Sequence, residues 1–346
     1  MSSPIQEAIR QVAESLDLSR PVMRAAMHQI MAGEATPTQI GGLLMGLRVK
    51  GETVDEIVAA ATVMREFASG VTGLSGPLTD IVGTGGDGAS LFNISTASAF
   101  VAAAGGARIA KHGNRSVSSS SGAADVLEAA GVRLDLDADR VREAVDTLGV
   151  GFLFAPMHHG AMRHAVEPRR DLGVRTLFNL LGPLTNPAGA TRQVLGVFER
   201  RWLRPLAEAL GEMGSEHVLV VHSQDGLDEL SIAAPTHIAE LRDGMVSEWT
   251  FDPADVGAAG TLDELRVENA EQSLALVRSA LGGNAGSARE IVAVNAGAAL
   301  YVAGRAETLG QGIADARRIL DAGAGLTLLE RYAAWTSVPR HSLRDL

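Results

Sequence analysis

The chain has no cysteine and only two lysines among its 346 residues, and these shortages narrow its chemistry. Without cysteine there is no disulfide, thiol nucleophile, iron–sulfur cluster or cysteine-ligated zinc. No stretch approaches the roughly 18 apolar residues of a membrane-spanning helix, and the first 20 residues lack the apolar core of a signal peptide. A Walker A motif is also excluded, because no Gly-Lys pair occurs.

The charge balance disfavours partners that need a basic surface. Acidic residues number 41 and basic residues 30, which gives a net charge of −11. Nucleic-acid binding usually requires a basic face, so we expect no nucleic-acid partner. Because the sequence shows neither a membrane-spanning stretch nor a signal peptide, we also expect no membrane partner and a cytoplasmic location. Because arginine supplies nearly all the positive charge, Lys50 and Lys111 become candidates for a specific role.

The order of apolar patterns predicts a helical start followed by an α/β region. The length fits one large or two moderate domains. Helix-capping signals stand at Ser19–Pro21, Thr36-Pro37 and Thr53–Glu56 within the first 70 residues. Strand-like runs then alternate with helical stretches, which implies a largely parallel sheet. We predict strands at 79–82, 108–110, 151–155, 193–198 and 217–222, and find no readable motif in the last third.

A glycine-rich turn, GTGGDG at 83–88, follows the first predicted strand. It matches the dinucleotide fingerprint G-x-G-x-x-G, but the next strand ends in basic Lys111-His112 where that fingerprint needs an acidic residue. NAD binding is therefore disfavoured. Glycine amides can still approach an anion closely, and Asn93, Ser95 and Thr96 stand where a helix begins, a favoured place for phosphate. The turn predicts a phosphate site.

A second anion-binding segment is predicted at Lys111–Arg115 and the serines that follow it. Lys111 lies at the carboxyl end of a predicted strand, which is the edge where α/β proteins bind ligands. Arg115 can pair with phosphate oxygens through two parallel hydrogen bonds, whereas Lys111 acts as a point charge. The segment therefore extends the predicted phosphate site.

Two further groups of residues bear on metal binding. Asp228-Glu229 follows a predicted strand and offers the carboxylate oxygens that Mg²⁺ prefers; whether one ion or two would bind, directly or through water, stays open. His158, His159 and His164 lack the H-E-x-x-H pattern of a zinc site. We interpret these histidines as a pocket wall or ordinary surface.

Taken together, these motifs resemble those of the anthranilate phosphoribosyltransferase family. The matching segments occur in the family's order: GTGGDG at 83–88, NIST at 93–96, KHGNR at 111–115, RRDLGVRTLFNLLGPLTNP at 169–187 and DGLDEL at 225–230. The resemblance implies an α/β fold of the class III phosphoribosyltransferase or nucleoside phosphorylase type. It implies a small all-helical domain at 1–72, to which about 168–190 returns, a large α/β catalytic domain at 73–346 with a mostly parallel central sheet, and a homodimer.

The resemblance also implies a reaction. The phosphoribosyl group of 5-phosphoribosyl 1-diphosphate passes to the amine of anthranilate with release of diphosphate, a step of tryptophan biosynthesis that uses Mg²⁺. The implied contacts to phosphoribosyl diphosphate are Gly83, Gly86, Asp87, Asn93, Ile94, Ser95, Thr96, Lys111, His112, Gly113, Asn114, Arg115, Ser116, Val117, Ser118 and Ser119. Those to anthranilate are Gly83, Asn114 and Arg169, and those to Mg²⁺ are Ser95, Asp228 and Glu229.

Two other functions are weighed against this one. A pyrimidine nucleoside phosphorylase would share the glycine turn but carry a different, Lys-Ser-containing segment in place of KHGNR. A non-catalytic relative that binds nucleic acid should lose the metal carboxylates and gain a basic surface. This chain keeps both KHGNR and Asp228-Glu229 and is acidic overall, so both alternatives are disfavoured.

Overall fold

The second, third and fourth helices begin at the positions that the three capping signals predict, and another helix precedes them. The computed structural model describes residues 2–86, 88–116 and 121–338. Capping boxes start α3 and α4, where the hydroxyls of Thr36 and Thr53 accept the amides of Gln39 and Glu56, which satisfies otherwise unpaired helix N–H groups. The helices are α1 (Pro4–Ala13), α2 (Arg20–Met31), α3 (Pro37–Lys50) and α4 (Val54–Glu66).

A seven-stranded sheet follows, and it confirms the α/β fold class. The strands are β1 (Thr79–Gly83), β2 (Ile109–Gly113), β3 (Val150–Phe154), β4 (Arg192–Gly196), β5 (His217–Ser223), β6 (Thr236–Arg242) and β7 (Met245–Phe251). Their order is β3-β2-β1-β4-β5-β6-β7. The first five strands pair in parallel, and the five sequence-predicted strands correspond to them within a few residues.

The sequence reading missed the last two strands, which form an antiparallel hairpin beside β5. Their connection is Asp243-Gly244, and both residues have positive φ, +53° and +76°. An Asp-Gly pair between strand-like runs is a strong signal for such a two-residue turn. The hairpin could therefore have been predicted, and the sheet is mixed rather than wholly parallel.

Helices cover both faces of the sheet. Those after β1 are α5 (Ile94–Ala104), α6 (Ala123–Ala129), α7 (Ala138–Leu148), α8 (Ala155–His158), α9 (Arg163–Leu172), α10 (Leu177–Leu181), α11 (Leu203–Glu212), α12 (Ala270–Leu281), α13 (Ser287–Val302), α14 (Leu309–Asp321) and α15 (Ala324–Ser337). The last third of the chain, in which no motif was readable, therefore ends in four helices. Among the residues described, none of the helices combines the length and hydrophobicity needed to cross a membrane.

The segment containing α9 and α10 packs against the N-terminal helices. Helix α9 contacts α2 and α3, and α10 contacts α3 and α4. Leu177 and Leu181 are fully buried in one apolar cluster with Leu43 of α3, and Leu195 of β4 belongs to the same cluster. Burying apolar surface contributes about 25 cal/mol of stability per Å², and this contribution holds the helical layer on the sheet. The segment thus carries its side chains from the helical layer toward the strand ends.

Candidate active site

The candidate site lies at the point where the strand order of the parallel sheet reverses. From β1 the chain proceeds through β2 to β3 on one side, whereas β4 and β5 lie on the other. Ligands of open α/β sheets bind at such a point, outside the carboxyl ends of the strands. Gly83 ends β1 and is paired in register with Gly196, which ends β4. The site is therefore framed by two glycines.

These two glycines make room for Asp228. A β-carbon on Gly196 would overlap the backbone oxygen of Asp228, and one on Gly83 would lie 2.5 Å from Asp228 Oδ2. The same oxygen accepts a hydrogen bond of 2.9 Å from the amide of Gly85, whose φ is +65°. The absence of side chains at both strand ends therefore lets the loop after β5 bring its carboxylate onto the glycine turn.

The NIST segment begins helix α5 beside this turn. Asn93 Oδ1 accepts hydrogen bonds from Ser273 Oγ at 2.8 Å and Ser121 Oγ at 3.0 Å, and its amide N–H donates to Ser273 Oγ at 3.0 Å. Thr96 Oγ1 is buried with no hydrogen-bond partner in the described part of the chain. Because buried hydroxyls normally have partners, the unsatisfied Thr96 hydroxyl makes this helix start an unusual polar position.

Lys111 bridges β1 and α5. Its Nζ donates to the backbone oxygen of Ile81 at 2.5 Å and to Ser95 Oγ at 3.1 Å. Burial lowers the pKa of Lys111, and the negative charges of Asp80 and Glu229 act against that shift. A buried ammonium among carboxylates adds positive potential where a phosphate would bind. The lysine singled out by composition therefore lies within the site.

Asp80 is a second buried charge, which the sequence reading did not assign to the site. Its carboxylate accepts the backbone N–H of His112 at 3.1 Å and the Asn186 amide at 2.8 Å. Asn186 also donates to Ala110 O at 2.8 Å. Burial raises the pKa of Asp80 to about 6, against the lowering effect of Lys111. Asp80 thus ties β2 and the segment after α10 to β1.

The segment after β2 folds back on itself. Asp125 accepts the backbone amides of Ser116 at 3.1 Å and Gly122 at 2.8 Å. The Arg115 guanidinium pairs with Asp125 at 3.0 Å and Glu128 at 2.7 Å, so its charge is compensated by acidic side chains of α6. Asn114 is exposed. Asp87, Val117, Ser118 and Ser119, which were predicted to contact phosphoribosyl diphosphate, lie outside the described residues.

The histidines predicted as a pocket wall or surface are His158, His159 and His164; the first two are buried, and His164 is half-buried against Gly33. His112, which was predicted to contact phosphoribosyl diphosphate, lies beside His159. His112 and His159 are buried with ring centroids 5.1 Å apart, and burial lowers their pKa values to about 3 and about 4. His112 Nε2 and both ring nitrogens of His159 have no partner among the described residues. His158 Nδ1 lies 2.8 Å from Ser69 O. These imidazoles are therefore buried, neutral side chains beside β2 rather than surface groups.

Arg169 reaches the site region from α9. Its guanidinium lies 5.4 Å from the centroid of the Phe178 ring, and burial lowers its pKa. Within the described ranges it has no carboxylate partner at salt-bridge distance. A half-buried arginine without a counter-charge can bind a planar anion with two parallel hydrogen bonds.

The acidic residues fit a magnesium site that is completed by substrate. In the described ranges, no group of three or more histidine, aspartate or glutamate side chains is arranged to hold a metal. Mg²⁺ commonly uses one or two carboxylates, several waters and substrate phosphates. Asp228 at the glycine turn, Glu229 beside it and the Ser95 hydroxyl are the donors of that kind.

The chain matches two family models in succession. Residues 6–68 match the helical bundle domain of a glycosyl transferase family, and residues 75–326 match the a/b domain of that family. The protein is therefore a glycosyl transferase with a helical and an α/β part.

Individual relatives indicate which kind of glycosyl transferase the chain resembles. The anthranilate phosphoribosyltransferase of Thioalkalivibrio sulfidiphilus is 59% identical over 334 residues, covering 96% of this chain and 99% of its own. The crystal structure of anthranilate phosphoribosyltransferase from Thermus thermophilus is 45% identical, with a TM-score of 0.91 over 97% of this chain and 100% of that one. The chain belongs to the anthranilate phosphoribosyltransferase family.

A more distant structure shares the fold. The anthranilate phosphoribosyltransferase of Saccharomyces cerevisiae in complex with PRPP and Mg is 24% identical, with a TM-score of 0.87 over 97% of this chain and 99% of that one.

Proposed function

We propose that the chain transfers the phosphoribosyl group of 5-phosphoribosyl 1-diphosphate (PRPP) to the amine of anthranilate, with release of diphosphate, in tryptophan biosynthesis. The observation that carries this proposal is the meeting of Asp228 with the glycine turn at the strand-order reversal. That arrangement supplies backbone amides and carboxylates side by side, as a metal-bound diphosphate requires.

Catalysis in this proposal is mainly positioning and electrostatic stabilisation. The anomeric carbon becomes cation-like as its bond to diphosphate breaks, and negative charge grows on the leaving group. Lys111 and the amides of the glycine turn stabilise that charge. The anthranilate amine is uncharged near neutral pH, so it attacks without a strong general base.

The binding roles in this proposal are those that the family resemblance implies. PRPP is held by Gly83, Gly86, Asp87, by Asn93–Thr96 and by Lys111–Ser119. Anthranilate contacts Gly83, Asn114 and Arg169, whose guanidinium pairs with the carboxylate. Asp228, Glu229 and Ser95 would hold Mg²⁺, which when bound would offset the negative charge of the phosphates. The ion pairs of Arg115 with Asp125 and Glu128 mean that its phosphate role requires an exchange of partners.

The domain division and the assembly are also proposals. We infer that residues 1–72 with about 168–190 act as one helical unit beside a catalytic unit at 73–346, because α9 and α10 pack on α2–α4. We infer a homodimer from the family resemblance alone, and light scattering measures the oligomeric state directly. The cytoplasmic location and the lack of nucleic-acid and membrane partners stay predictions.

The test is consumption of anthranilate, followed by loss of its fluorescence, with PRPP and millimolar Mg²⁺. Turnover that stops when Mg²⁺ is chelated supports the proposal, and no turnover at all contradicts it. Arg169→Ala should raise KM for anthranilate about tenfold or more, by loss of a charge-assisted hydrogen bond, with a smaller change for PRPP. The reverse order would reject the role of Arg169.

A further inference from the structure

Arg175 lies beside the glycine turn on the short connection between two helices of the returning segment. Helix α9 ends at Leu172 and α10 begins at Leu177. Gly173, with φ +63°, turns the chain after α9, and the amide of Thr176 donates to Asn179 Oδ1 at 3.0 Å as α10 begins. Arg175 is therefore presented from a turn that is fixed at both ends.

The side chain of Arg175 spans the two loops that frame the candidate site. Its guanidinium carbon lies 4.4 Å from the centroid of the Phe198 ring, two residues after β4. On the other side, its Cδ and Nε lie 3.9 and 4.0 Å from the place that a β-carbon of Gly86 would occupy, three residues after β1. Arg175 thus crosses the point where the strand order reverses, from the helical side.

The positive charge of Arg175 is not matched by a carboxylate. Among the residues that the structure describes, no aspartate or glutamate oxygen lies within salt-bridge distance of its guanidinium, although the chain has more acidic than basic residues. Arg115, which the sequence favoured as the phosphate-binding arginine, is by contrast paired with Asp125 and Glu128. Arg175 is therefore, within the described ranges, an arginine at the glycine turn whose charge is not already paired with a carboxylate.

The geometry also indicates the kind of anion. A guanidinium stacked on an aromatic ring is held in one plane and keeps its edge N–H groups for a ligand. The glycines beside it, Gly85 and Gly86, have φ values of +65° and +82°, and without side chains they let a ligand approach the backbone of the turn closely. A phosphoryl group is the ligand that both features suit.

We propose that Arg175 is a further substrate-binding residue, which contacts phosphoryl oxygens of PRPP opposite the Mg²⁺ carboxylates. This inference rests on the proposed function, because PRPP is the phosphorylated substrate of that reaction. Arg175 complements Arg169, which belongs to the same segment and is assigned to the carboxylate of anthranilate. The two arginines then divide the two anionic substrates between them.

The experiment compares Arg175→Met, Arg175→Lys and Arg170→Met. Methionine keeps an unbranched apolar stem and removes the charge, lysine keeps the charge without the planar fork, and Arg170 is an exposed arginine of the same segment. PRPP binding is measured by calorimetry with Mg²⁺ present, and KM is measured for both substrates. Arg175→Met should weaken PRPP binding and raise its KM about 10- to 100-fold. Arg175→Lys should fall between it and wild type, and Arg170→Met should match wild type.

Three outcomes would overturn the inference. The first is an unchanged PRPP affinity in Arg175→Met, and the second is an effect on the KM of anthranilate alone. The third is a fall in Tm without a change in PRPP affinity, which would mean that Arg175 only packs on Phe198. If Arg175→Met does not fold, Arg175→Lys decides by the same comparison. Wild-type protein that binds PRPP but does not consume anthranilate contradicts the proposed function alone, because the binding measurement still tests Arg175.

Discussion

Two clusters of polar side chains lie on the same sheet and differ in how fully their hydrogen bonds are satisfied. The β5–β7 cluster consists of His217, Glu240, Arg242, Trp249 and Tyr301. The β1–β2 cluster consists of Asp80, Lys111, His112, His159 and Asn186. Each cluster contains a buried carboxylate, which is costly unless hydrogen bonds or charges compensate for lost solvation.

In the β5–β7 cluster the compensation is complete. Glu240 accepts hydrogen bonds from Tyr301 Oη at 2.7 Å and Trp249 Nε1 at 2.9 Å, and lies 2.9 Å from His217 Nε2. Burial alone would raise the pKa of Glu240, but the hydrogen bonds from His217, Tyr301 and Trp249 hold it below its ordinary value. Such a network fixes the antiparallel hairpin and leaves little capacity for a ligand.

In the β1–β2 cluster the compensation is partial. Burial raises the pKa of Asp80 to about 6 even though two hydrogen bonds and Lys111 oppose the shift. Burial also holds the pKa values of His112 and His159 far below their usual range, and His112 Nε2 and both ring nitrogens of His159 lack hydrogen-bond partners in the described part of the chain. We infer from this difference that incompletely satisfied polar groups mark the part of the sheet, at β1 and β2, that forms the candidate site.

The largest expected difference is between Asp80→Asn and Glu240→Gln, which remove one buried charge with little change in shape. Each should lower the free energy of unfolding by about 1–3 kcal/mol, because a hydrogen-bond acceptor becomes a donor. Only Asp80→Asn should also lower kcat/KM, by about 10- to 100-fold, since it disturbs the backbone of His112 and removes a counter-charge of Lys111. Urea unfolding and steady-state kinetics measure both effects. Similar losses of activity in the two variants would contradict the comparison.

The part of the site formed by contiguous motifs could be predicted from the sequence. Gly83 and Gly85 predict a tight turn after a strand, and Lys111 was a candidate for a specific role because the chain has so few lysines. These signals are local, because glycine conformation and strand ends are read from neighbouring residues. The Asp228-Glu229 pair was found only because a phosphate site had already been argued.

The contacts between distant segments could not be predicted in this way. Asp80 and Asn186 are 106 positions apart, and Asn93 and Ser273 are 180 apart; no periodicity relates them. Gly196 resembles any glycine at a strand end until the fold brings Asp228 over it. Tertiary packing determines these pairs, whereas helix caps such as Thr36 and Thr53 depend on local chemistry and were predicted correctly.

A smaller, pH-dependent difference is expected from His159. Its folded-state pKa of about 4 lies below its ordinary value of 6.5, so the unfolded chain binds the proton more tightly. The stabilisation is complete above pH 6.5 and is lost as the pH falls toward 4. His159→Asn should reduce the slope of unfolding free energy against pH in this window by up to about 1.4 kcal/mol per pH unit.

The control is His28→Asn, at a histidine that is 46% exposed. Asp80 acts in the opposite direction, because its raised pKa stabilises the fold as the pH falls through about 6. This contribution is common to wild type, His159→Asn and His28→Asn, so it cancels in the comparison. Chemical unfolding between pH 4 and 7.5 gives the slopes. Curves for wild type and His159→Asn that run parallel would show that His159 does not titrate as a buried neutral group.

The smallest effect is expected from Ser273→Ala, which removes one of the hydroxyls that bond to Asn93. It tests again whether incompletely satisfied polar groups mark the substrate site. Both hydroxyl donors bond to Asn93 Oδ1, whereas among the described residues its Nδ2 has only a long contact of 3.5 Å to Ser121 O. The oxygen is thus fixed and the amide N–H groups keep capacity for a phosphate. Losing one anchoring bond should raise the KM for PRPP about three- to tenfold with the KM for anthranilate unchanged. Ser279→Ala, on the same helix, is the control; equal PRPP affinity in both variants would leave Ser273 a packing residue only.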